Sequence, residues 1–400
     1  MGRPTPQPMR HRSKVWWCLA LLLLPLAQAE LVTRITLTDV GALEETDLGV
    51  LGGAVSPDGE MVLLHGMGGY VHLVSADKAD DRTQDIDLST GRSSDVNDVA
   101  WHPRGNTALL VGDEGLAMRY DTYDHSITHV NGTFAVIGQS LTAVVWRPSG
   151  DFAYVAAEDG TVWKFAEHTG FERLNNTGTS RVMDVACHRN HNICFIATVD
   201  EGLAVIDQGF TVRWMAQSAS ETWVGVDCVD PNLNECTAYA SGLRSKVINV
   251  NLLEPSQSTV GSTFAVDLLE GEQTGVSPGN DRSSLVHVAP LGLVRYEPLS
   301  NSVFTVLVPE DAVAFDATIA GRAMAVVWEN GEHEGFFITE YGNVVAFSPA
   351  TEAVDSSILT VLVLGAVAIS VPGVLLGLLY MNSPWLQRKY NDLRFGKKAR

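Results

Sequence analysis

Basic residues are scarce in this chain, which has 27 Lys and Arg against 47 Asp and Glu and a net charge of −20. The imbalance is greatest over residues 30–381, which hold 17 basic and 46 acidic residues. Nucleic-acid binding needs Lys and Arg to displace counterions from phosphates, so this charge opposes nucleic acid as a partner. It suits solubility in a salty exterior or binding to a cationic partner.

Signatures of catalysis are also missing. The sequence has no Gly-x-Ser-x-Gly elbow, no His-Glu-x-x-His, no Gly-x-Gly-x-x-Gly at a strand-to-helix turn and no calcium loop of alternating Asp. A 3.6-residue apolar period is absent from the repeat region described next, which argues against an α/β fold. We therefore predict no cofactor, and the sequence favours binding over catalysis.

A glycine returns at a nearly constant distance behind a turn seven times in the chain. The turns are anchored 41 to 52 residues apart at Pro57, Pro103, Pro148, Arg189, Asp230, Pro278 and Asn330. Twelve to fourteen residues after these anchors stand Gly69, Gly115, Gly160, Gly202, Gly242, Gly292 and Gly342. A period of this length is typical of propellers and solenoids.

Each repeat contains short runs of Val, Ala, Tyr and Phe between Pro, Gly, Asp and Asn, a pattern that predicts antiparallel strands joined by tight turns. Residues 143–165 and 325–347 share one register without a gap. The recurring glycine falls between the second and third strands, where a hairpin needs a positive φ. Four strands per repeat make one propeller blade.

The last repeat supplies only three strands before Pro349, whereas residues 31–37 form an extra strand at the start. Pairing that strand with the last blade closes the ring and covers two sheet edges. The sequence therefore predicts an all-β, seven-bladed β-propeller over residues 30–350. An open stack of hairpins is the alternative.

Several turns of the repeat also carry a family likeness. They are the turns Trp101–Gly105, Trp146–Gly150 and Ser56–Gly59, with the hairpin Glu158–Trp163. With these motifs, residues 31–350 resemble the WD-repeat and YVTN-like propeller superfamily, and the resemblance implies its fold. No Trp-Asp dipeptide ends a third strand and the Gly-His pair is missing, so the resemblance identifies no subfamily.

Both ends of the chain predict membrane targeting. Residues 1–29 combine basic residues, an apolar run and Ala-Gln-Ala, which is typical of a cleaved signal peptide, with an uncleaved anchor as the alternative. After a linker at residues 351–357, residues 358–381 contain no charge and are long enough for one transmembrane helix. The basic tail at residues 382–400 then lies in the cytoplasm and the propeller outside.

The C-terminal segment predicts two further features. Gly373 and Gly377 form a small-xxx-small pair that allows homodimerisation through the membrane helix. Lys397-Lys-Ala-Arg400 fits a dilysine retrieval signal, and a plain basic anchor flank is the alternative. We therefore expect a single-pass membrane protein whose propeller is at the cell surface, or in the endoplasmic-reticulum lumen of a eukaryote.

Four cysteines remain after the signal peptide, as two local pairs. Cys187 and Cys194, and likewise Cys228 and Cys236, face each other across a predicted hairpin, and an even count in an exported chain favours two disulfides. The alternative is a zinc site, because His188 and His191 lie between the first two cysteines. The second pair lacks histidines but has the same spacing pattern, which favours disulfides for both.

Modification and binding residues are predicted at the loops and at the propeller axis. Asn131 and Asn175 begin glycosylation sequons near outer loops. Ligands of propellers usually bind at the ends of the central channel, where most inner-strand residues here are small. The candidate binding residues at the channel mouth are the exceptions: Asp95, Asn97, Asp98, Asp184 and Trp223. The alternative is that the carboxylates cap turns and bond to backbone.

Two functions follow from these patterns. The first is a membrane-anchored interaction or scaffold module that binds an exported protein, a membrane protein or a surface polymer. The second is a metal-dependent, lactonase-like envelope hydrolase with Asp98 and Asp184 as candidate metal ligands. Sensing, with a signal relayed to the tail, would need a cytoplasmic partner or helix pairing, since residues 382–400 are too few to form a domain.

Overall fold

The computed structural model describes residues 33–242, 244–265, 269–350, 370, 374 and 377–396. The predicted signal peptide and linker, and most of the predicted membrane span at residues 358–381, lie outside them. Among the described residues, no helix is both long and apolar enough to span a bilayer. The chain divides into two units, residues 1–350 and 351–400.

The first unit is built from seven four-stranded antiparallel sheets, which are the predicted propeller blades. Blade 1 comprises β2 (Val50–Val55), β3 (Met61–Gly66), β4 (Tyr70–Ser75) and β5 (Ile86–Ser89). Blade 2 comprises β6 (Val96–Trp101), β7 (Thr107–Gly112), β8 (Ala117–Asp121) and β9 (Ile127–His129). Blade 3 comprises β10 (Leu141–Trp146), β11 (Ala153–Ala157), β12 (Val162–Ala166) and β13 (Gly170–Arg173). In each of these blades the first strand is the innermost and the fourth is the outermost.

Blades 4 to 6 follow the same order. Blade 4 comprises β14 (Val182–Cys187), β15 (Cys194–Thr198), β16 (Leu203–Ile206) and β17 (Val212–Trp214). Blade 5 comprises β18 (Trp223–Asp227), β19 (Glu235–Ala240), β20 (Arg244–Asn249) and β21 (Thr259–Ala265). Blade 6 comprises β22 (Gln273–Pro278), β23 (Ser284–Val288), β24 (Gly292–Glu297) and β25 (Ser302–Leu307). The all-β, seven-bladed prediction is confirmed.

Blade 7 closes the ring by combining the two ends of the propeller. Its strands are β26 (Met324–Gly331), β27 (Glu334–Thr339), β28 (Asn343–Pro349) and β1 (Ile35–Ala42), with β1 paired antiparallel to β28. The predicted first-to-last closure is confirmed. The strand starts later than predicted, at Ile35 rather than residue 31, because the register places Ile35 opposite Pro349, the last residue of β28.

The hydrophobic core lies between the blades. Seven buried clusters each join two neighbouring blades, for example Leu63 of blade 1 with Leu110 of blade 2, and Val62 of blade 1 with Trp328 of blade 7. Middle strands such as β11 are buried on both faces, so they are continuous apolar runs rather than alternating ones. Closing the ring therefore completes a core interface as well as a sheet.

Most of the recurring glycines adopt a positive φ at their hairpins, and some also leave space that a Cβ atom would fill. At Gly160, φ is +80° and a Cβ atom would lie 2.6 Å from the backbone carbon of Gly178, so only glycine fits without strain. Gly69, Gly115, Gly202 and Gly342 also adopt a positive φ. Gly242 and Gly292 do not, so the predicted left-handed hairpin is wrong for blades 5 and 6.

The propeller has two different faces. The upper face consists of the loops from second to third strands and from blade to blade, including α1 (Pro309–Phe315) and α2 (Ala317–Ala320). The lower face consists of the loops from first to second and from third to fourth strands. The N–H of Ala350 donates to the carbonyl of Arg34 at 2.8 Å, next to the paired ends of β1 and β28. Both ends of the propeller therefore lie at the lower face.

The described part of the second unit contains the helix α3 (Pro384–Phe395). The hydroxyl of Ser383 caps it by accepting the N–H of Leu386 at 3.4 Å. Gly377 is helical, whereas Gly373 lies outside the described residues. Homodimerisation through this glycine pair stays a prediction.

Candidate functional site

The seven inner strands surround a central channel with a cavity of about 420 Å³. Three of the five predicted binding residues, Asn97, Asp98 and Asp184, line it. Asp95 lies above the wall, in the loop before β6, and its Oδ1 accepts the N–H of Gly68 at 2.7 Å. The fifth residue, Trp223, is fully buried in the core between blades 4 and 5 and does not line the channel.

Asp98 and Asp184 join neighbouring blades by the same geometry. Oδ1 of Asp98 accepts the N–H of Val99 and Oδ2 accepts that of Val144 in the next blade, both at 2.7 Å. Asp184 makes the equivalent bonds to Val185 at 2.7 Å and to Val226 at 2.9 Å. Both oxygens of each carboxylate therefore bind backbone, which is the structural alternative stated above.

Three carboxyls on the innermost strands β6, β14 and β18 have strongly raised pKa values. Burial within the propeller raises the pKa of Asp98 to about 7 and that of Asp184 to about 6. Burial also raises the pKa of Asp227 to about 7, and its Oδ2 accepts the Ser284 hydroxyl at 3.2 Å. Backbone N–H donors act in the opposite direction on Asp98 and Asp184, but desolvation is the larger effect.

A histidine accompanies each of the first two of these carboxylates; sequence reasoning missed His102 and considered His188 only as a possible zinc ligand. Nε2 of His102 donates to the carbonyl of Gly150 at 2.9 Å, and Nε2 of His188 donates to that of Leu233 at 2.8 Å. Each ring accepts a backbone N–H at Nδ1, which assigns the donor to Nε2. The signal was present, since residues 98–102 and 184–188 both read Asp-Val-Ala-x-His. This motif bonds blade 2 to blade 3 and blade 4 to blade 5.

Two more histidines lie against the channel. Nδ1 of His65 is 2.8 Å from the carbonyl of Val96 in the next blade, and Nε2 of His287 is 3.0 Å from the Ser277 hydroxyl. Burial lowers the pKa of each ring to about 4, so both are neutral at physiological pH. No regular sequence spacing marks these two positions, so the sequence did not indicate them.

Both predicted disulfides are present, Cys187–Cys194 and Cys228–Cys236. Cys187–Cys194 connects β14 to β15, and Cys228, the residue after β18, is bonded to Cys236 in β19, so each disulfide crosses a hairpin as the spacing predicts. The zinc alternative does not fit this arrangement, because the sulfurs are bonded to each other and Nε2 of His188 binds the carbonyl of Leu233.

The two predicted glycosylation residues follow outer strands. Asn131 comes after β9 and Asn175 after β13, and both side chains are exposed. Exposure is compatible with modification, and occupancy of either sequon stays a prediction.

The two faces of the propeller differ in charge. The described upper loops contain 17 acidic and three basic residues, whereas the described lower loops contain 14 acidic and six basic residues. The charged side chains come from loops of all seven blades, so no single sequence segment reveals the asymmetry. An upper face of this charge attracts cationic groups and repels anionic ones.

Comparison with known proteins supports the fold and leaves the function open. No family model matches the chain. Elongator complex protein 2 of Danio rerio is 33% identical over 75 residues, which are 19% of this chain and 9% of that protein. The β-propeller domain of Myceliophteria thermophila Cps50 (Swd1) superposes with a TM-score of 0.61 at 12% identity, covering 78% of this chain and 99% of that domain. The chain is a seven-bladed β-propeller similar to that domain.

Proposed function

We propose that this chain is an exported, membrane-anchored scaffold that binds another exported or membrane protein through the upper face of its propeller. The observation that carries the proposal is the excess of 17 acidic over three basic residues in the described upper loops. Such a field speeds encounter with a basic partner and disfavours acidic ones. Both ends of the propeller, at Ile35 and Pro349, lie at the lower face, so the upper loops are on the opposite face from the points where the chain enters and leaves the propeller.

The membrane part of the proposal is supported by sequence and by cysteine chemistry. Residues 1–29 and 358–381 have the composition of a signal peptide and a membrane span. Two disulfides fit an oxidising compartment outside the cytoplasm. A surface polymer would suit the upper face only if it were cationic.

Membrane extraction tests the anchor. The full chain is expected to stay with membranes in alkaline carbonate, and a variant that lacks residues 358–381 is expected to be released. In a host that glycosylates exported proteins, glycosidase is expected to increase gel mobility, and this shift should depend on Asn131 or Asn175. Release of the full chain by carbonate contradicts the anchor.

Crosslinking in the native membrane tests the partner. The full chain should crosslink to a specific protein, and the double variant Glu44→Lys/Glu45→Lys, which reverses exposed charges in an upper loop, should capture less of it. Asp77→Lys/Glu254→Lys makes the same charge change in lower loops and should capture as much as the wild type. Equal capture by all three chains would place the contact elsewhere.

The metal-dependent hydrolase is less well supported. A metal bound by Asp98 and Asp184 would compete with the backbone N–H groups of Val144 and Val226 for the same oxygens. Four inter-blade and intra-strand bonds would then need replacement. The hydrolase alternative would be supported if the purified full chain held one equivalent of a divalent cation and the Asp98→Ala variant did not.

A further inference from the structure

Three large apolar side chains are exposed on hydrogen-bonded loops of the upper face. Met67, Phe134 and Ile137 have exposed fractions of 55%, 87% and 65%. They belong to loops of blades 1 and 2, and we call these three residues the rim patch. An apolar side chain this exposed gains nothing from the fold itself, and grouped exposure marks interaction surfaces.

Hydrogen bonds join the loops of the rim patch into one surface. Gly68 follows Met67 in the chain, and its N–H donates to Asp95 at 2.7 Å. The hydroxyl of Ser94, the residue before Asp95, donates to Glu114 at 3.1 Å. The carbonyl of Glu114 accepts the N–H of Gly138 at 3.4 Å, one residue after Ile137. The three side chains therefore lie along a bonded chain of loops at the upper edge.

The loop that carries Phe134 and Ile137 is fixed from below. Val136 between them is fully buried in the core of blades 2 and 3. The N–H of Gly115 donates to the carbonyl of Gln139 at 2.6 Å, which ties the loop to the neighbouring hairpin. An apolar side chain on such a loop binds with a small ordering cost, because the backbone is already in place.

The charges beside the rim patch indicate what would bind it. Exposed acidic residues lie in the upper loops that are hydrogen-bonded to those of the rim patch: Glu44, Glu45, Asp47, Glu114, Glu158 and Asp159. The nearby cation Arg92 is 3.3 Å from the ring of His129, at the outer strand β9. Nucleic acid and anionic lipid would be repelled by this field, and a second copy of the chain would bring the same acidic face.

We propose that the rim patch docks a polypeptide segment of a partner that carries Lys or Arg beside aromatic or aliphatic side chains. Phe134 and Ile137 supply the apolar contact, and the surrounding carboxylates supply charge complementarity. The inference rests on the proposed protein-binding function and names the contact surface and the chemistry of its partner. A few buried apolar contacts surrounded by complementary charge are the usual basis of affinity in such interfaces.

A peptide selection on the full chain tests this docking site. The chain is produced in a bacterial host, so that Asn131 carries no glycan, purified in detergent, and offered a displayed library of random short peptides. Enriched peptides should combine Lys or Arg with aromatic or aliphatic residues. Their affinity, measured by fluorescence anisotropy with synthetic copies, should fall about tenfold or more in Phe134→Ser/Ile137→Ser and weaken as salt rises.

Matched variants separate the possible results. Tyr123→Ser/Leu299→Ser removes side chains that are 95% and 78% exposed on lower loops and should leave the affinity unchanged. We call Phe134→Ser/Ile137→Ser the rim variant. If peptides bind it as tightly as the wild type, the rim patch is not the docking site, while the proposal that the chain binds proteins still stands. No enrichment on any chain overturns both proposals. Enriched acidic peptides, or a dimer that the rim variant loses, overturn the proposed partner chemistry.

Discussion

At the scale of single residues, Asp98 and Asp184 act as connectors between blades. Each carboxylate accepts one N–H from its own strand and one from the next blade. Asp98→Ala leaves the N–H groups of Val99 and Val144 without this acceptor, and we expect it to lower the free energy of unfolding by about 1–3 kcal/mol.

Urea unfolding of the variants measures this loss. Asp124→Ala serves as the control, because Asp124 is exposed and its hydrogen bonds are local, including the one from the N–H of Ser126 at 3.1 Å. It should change the free energy by about 0.5 kcal/mol or less. An equal loss in both variants would show that Asp98 has no special structural role.

The raised pKa of Asp98 predicts a pH dependence of stability. Its folded pKa of about 7 lies above the usual value of an unfolded Asp, about 3.9, so the folded chain binds the extra proton between these values. The contribution of Asp98 to stability is therefore fully present below about pH 4 and is lost as pH rises to about 7.

Asp98→Asn removes this titration while keeping one acceptor oxygen. The difference in unfolding free energy between wild type and variant, followed by urea unfolding from about pH 4 to pH 8, should shift in favour of the variant as pH rises. The difference cancels titrations that the two chains share, such as the lowered pKa of Asp58. A constant difference would contradict the raised pKa of Asp98.

At the scale of elements, β1 holds the ring closed. Ile35 of this strand is 4% exposed and packs in the core of blades 6 and 7. We expect Ile35→Ala to lower the free energy of unfolding by about 2–4 kcal/mol through lost burial and a cavity. The neighbouring change Thr36→Ala, at an exposed position of the same strand, should cost little. Chemical denaturation that finds the two variants equal would show that β1 contributes no core packing.

Elements were predictable from the sequence because their signals are local. Turn residues and apolar runs define each strand, and the repeat of residues 143–165 at 325–347 sets the register. The positive φ expected at Gly242 and Gly292 failed, because spacing alone does not specify the type of hairpin. Trp223 was misplaced for a related reason: the sequence gives its strand, while its burial depends on packing by two blades.

The contacts between blades were less predictable. Asp98 was identified from its position, but its partner Val144 is 46 residues away, and no local pattern connects the two. His65 and His287 carry no repeat signal at all. Among these contacts, a repeated sequence pattern marks those of the motif Asp-Val-Ala-x-His, which residues 98–102 and 184–188 share.

At the scale of the whole molecule, self-repulsion should dominate the response to salt. The net charge is −20, and the described upper loops concentrate acidic residues on one face. Raising sodium chloride from about 0.1 M to 1 M shortens the Debye length from about 10 Å to 3 Å, which screens repulsion between exposed carboxylates. The buried pair of Arg295 with Glu329 is screened much less. We therefore expect salt to raise the melting temperature by several degrees.

Calorimetry of the full chain in detergent can separate this screening from general effects of solutes. Sucrose at matched water activity stabilises by exclusion from the protein surface and should act alike on all variants. Glu44→Lys/Glu45→Lys reduces the charge of the upper face, so its melting temperature should rise less with salt than that of the wild type. Asp77→Lys/Glu254→Lys has the same net charge and should give a larger salt response than the upper variant, because its charges lie in the less acidic lower loops. Equal responses would mean that net charge, rather than the acidic upper face, sets the repulsion.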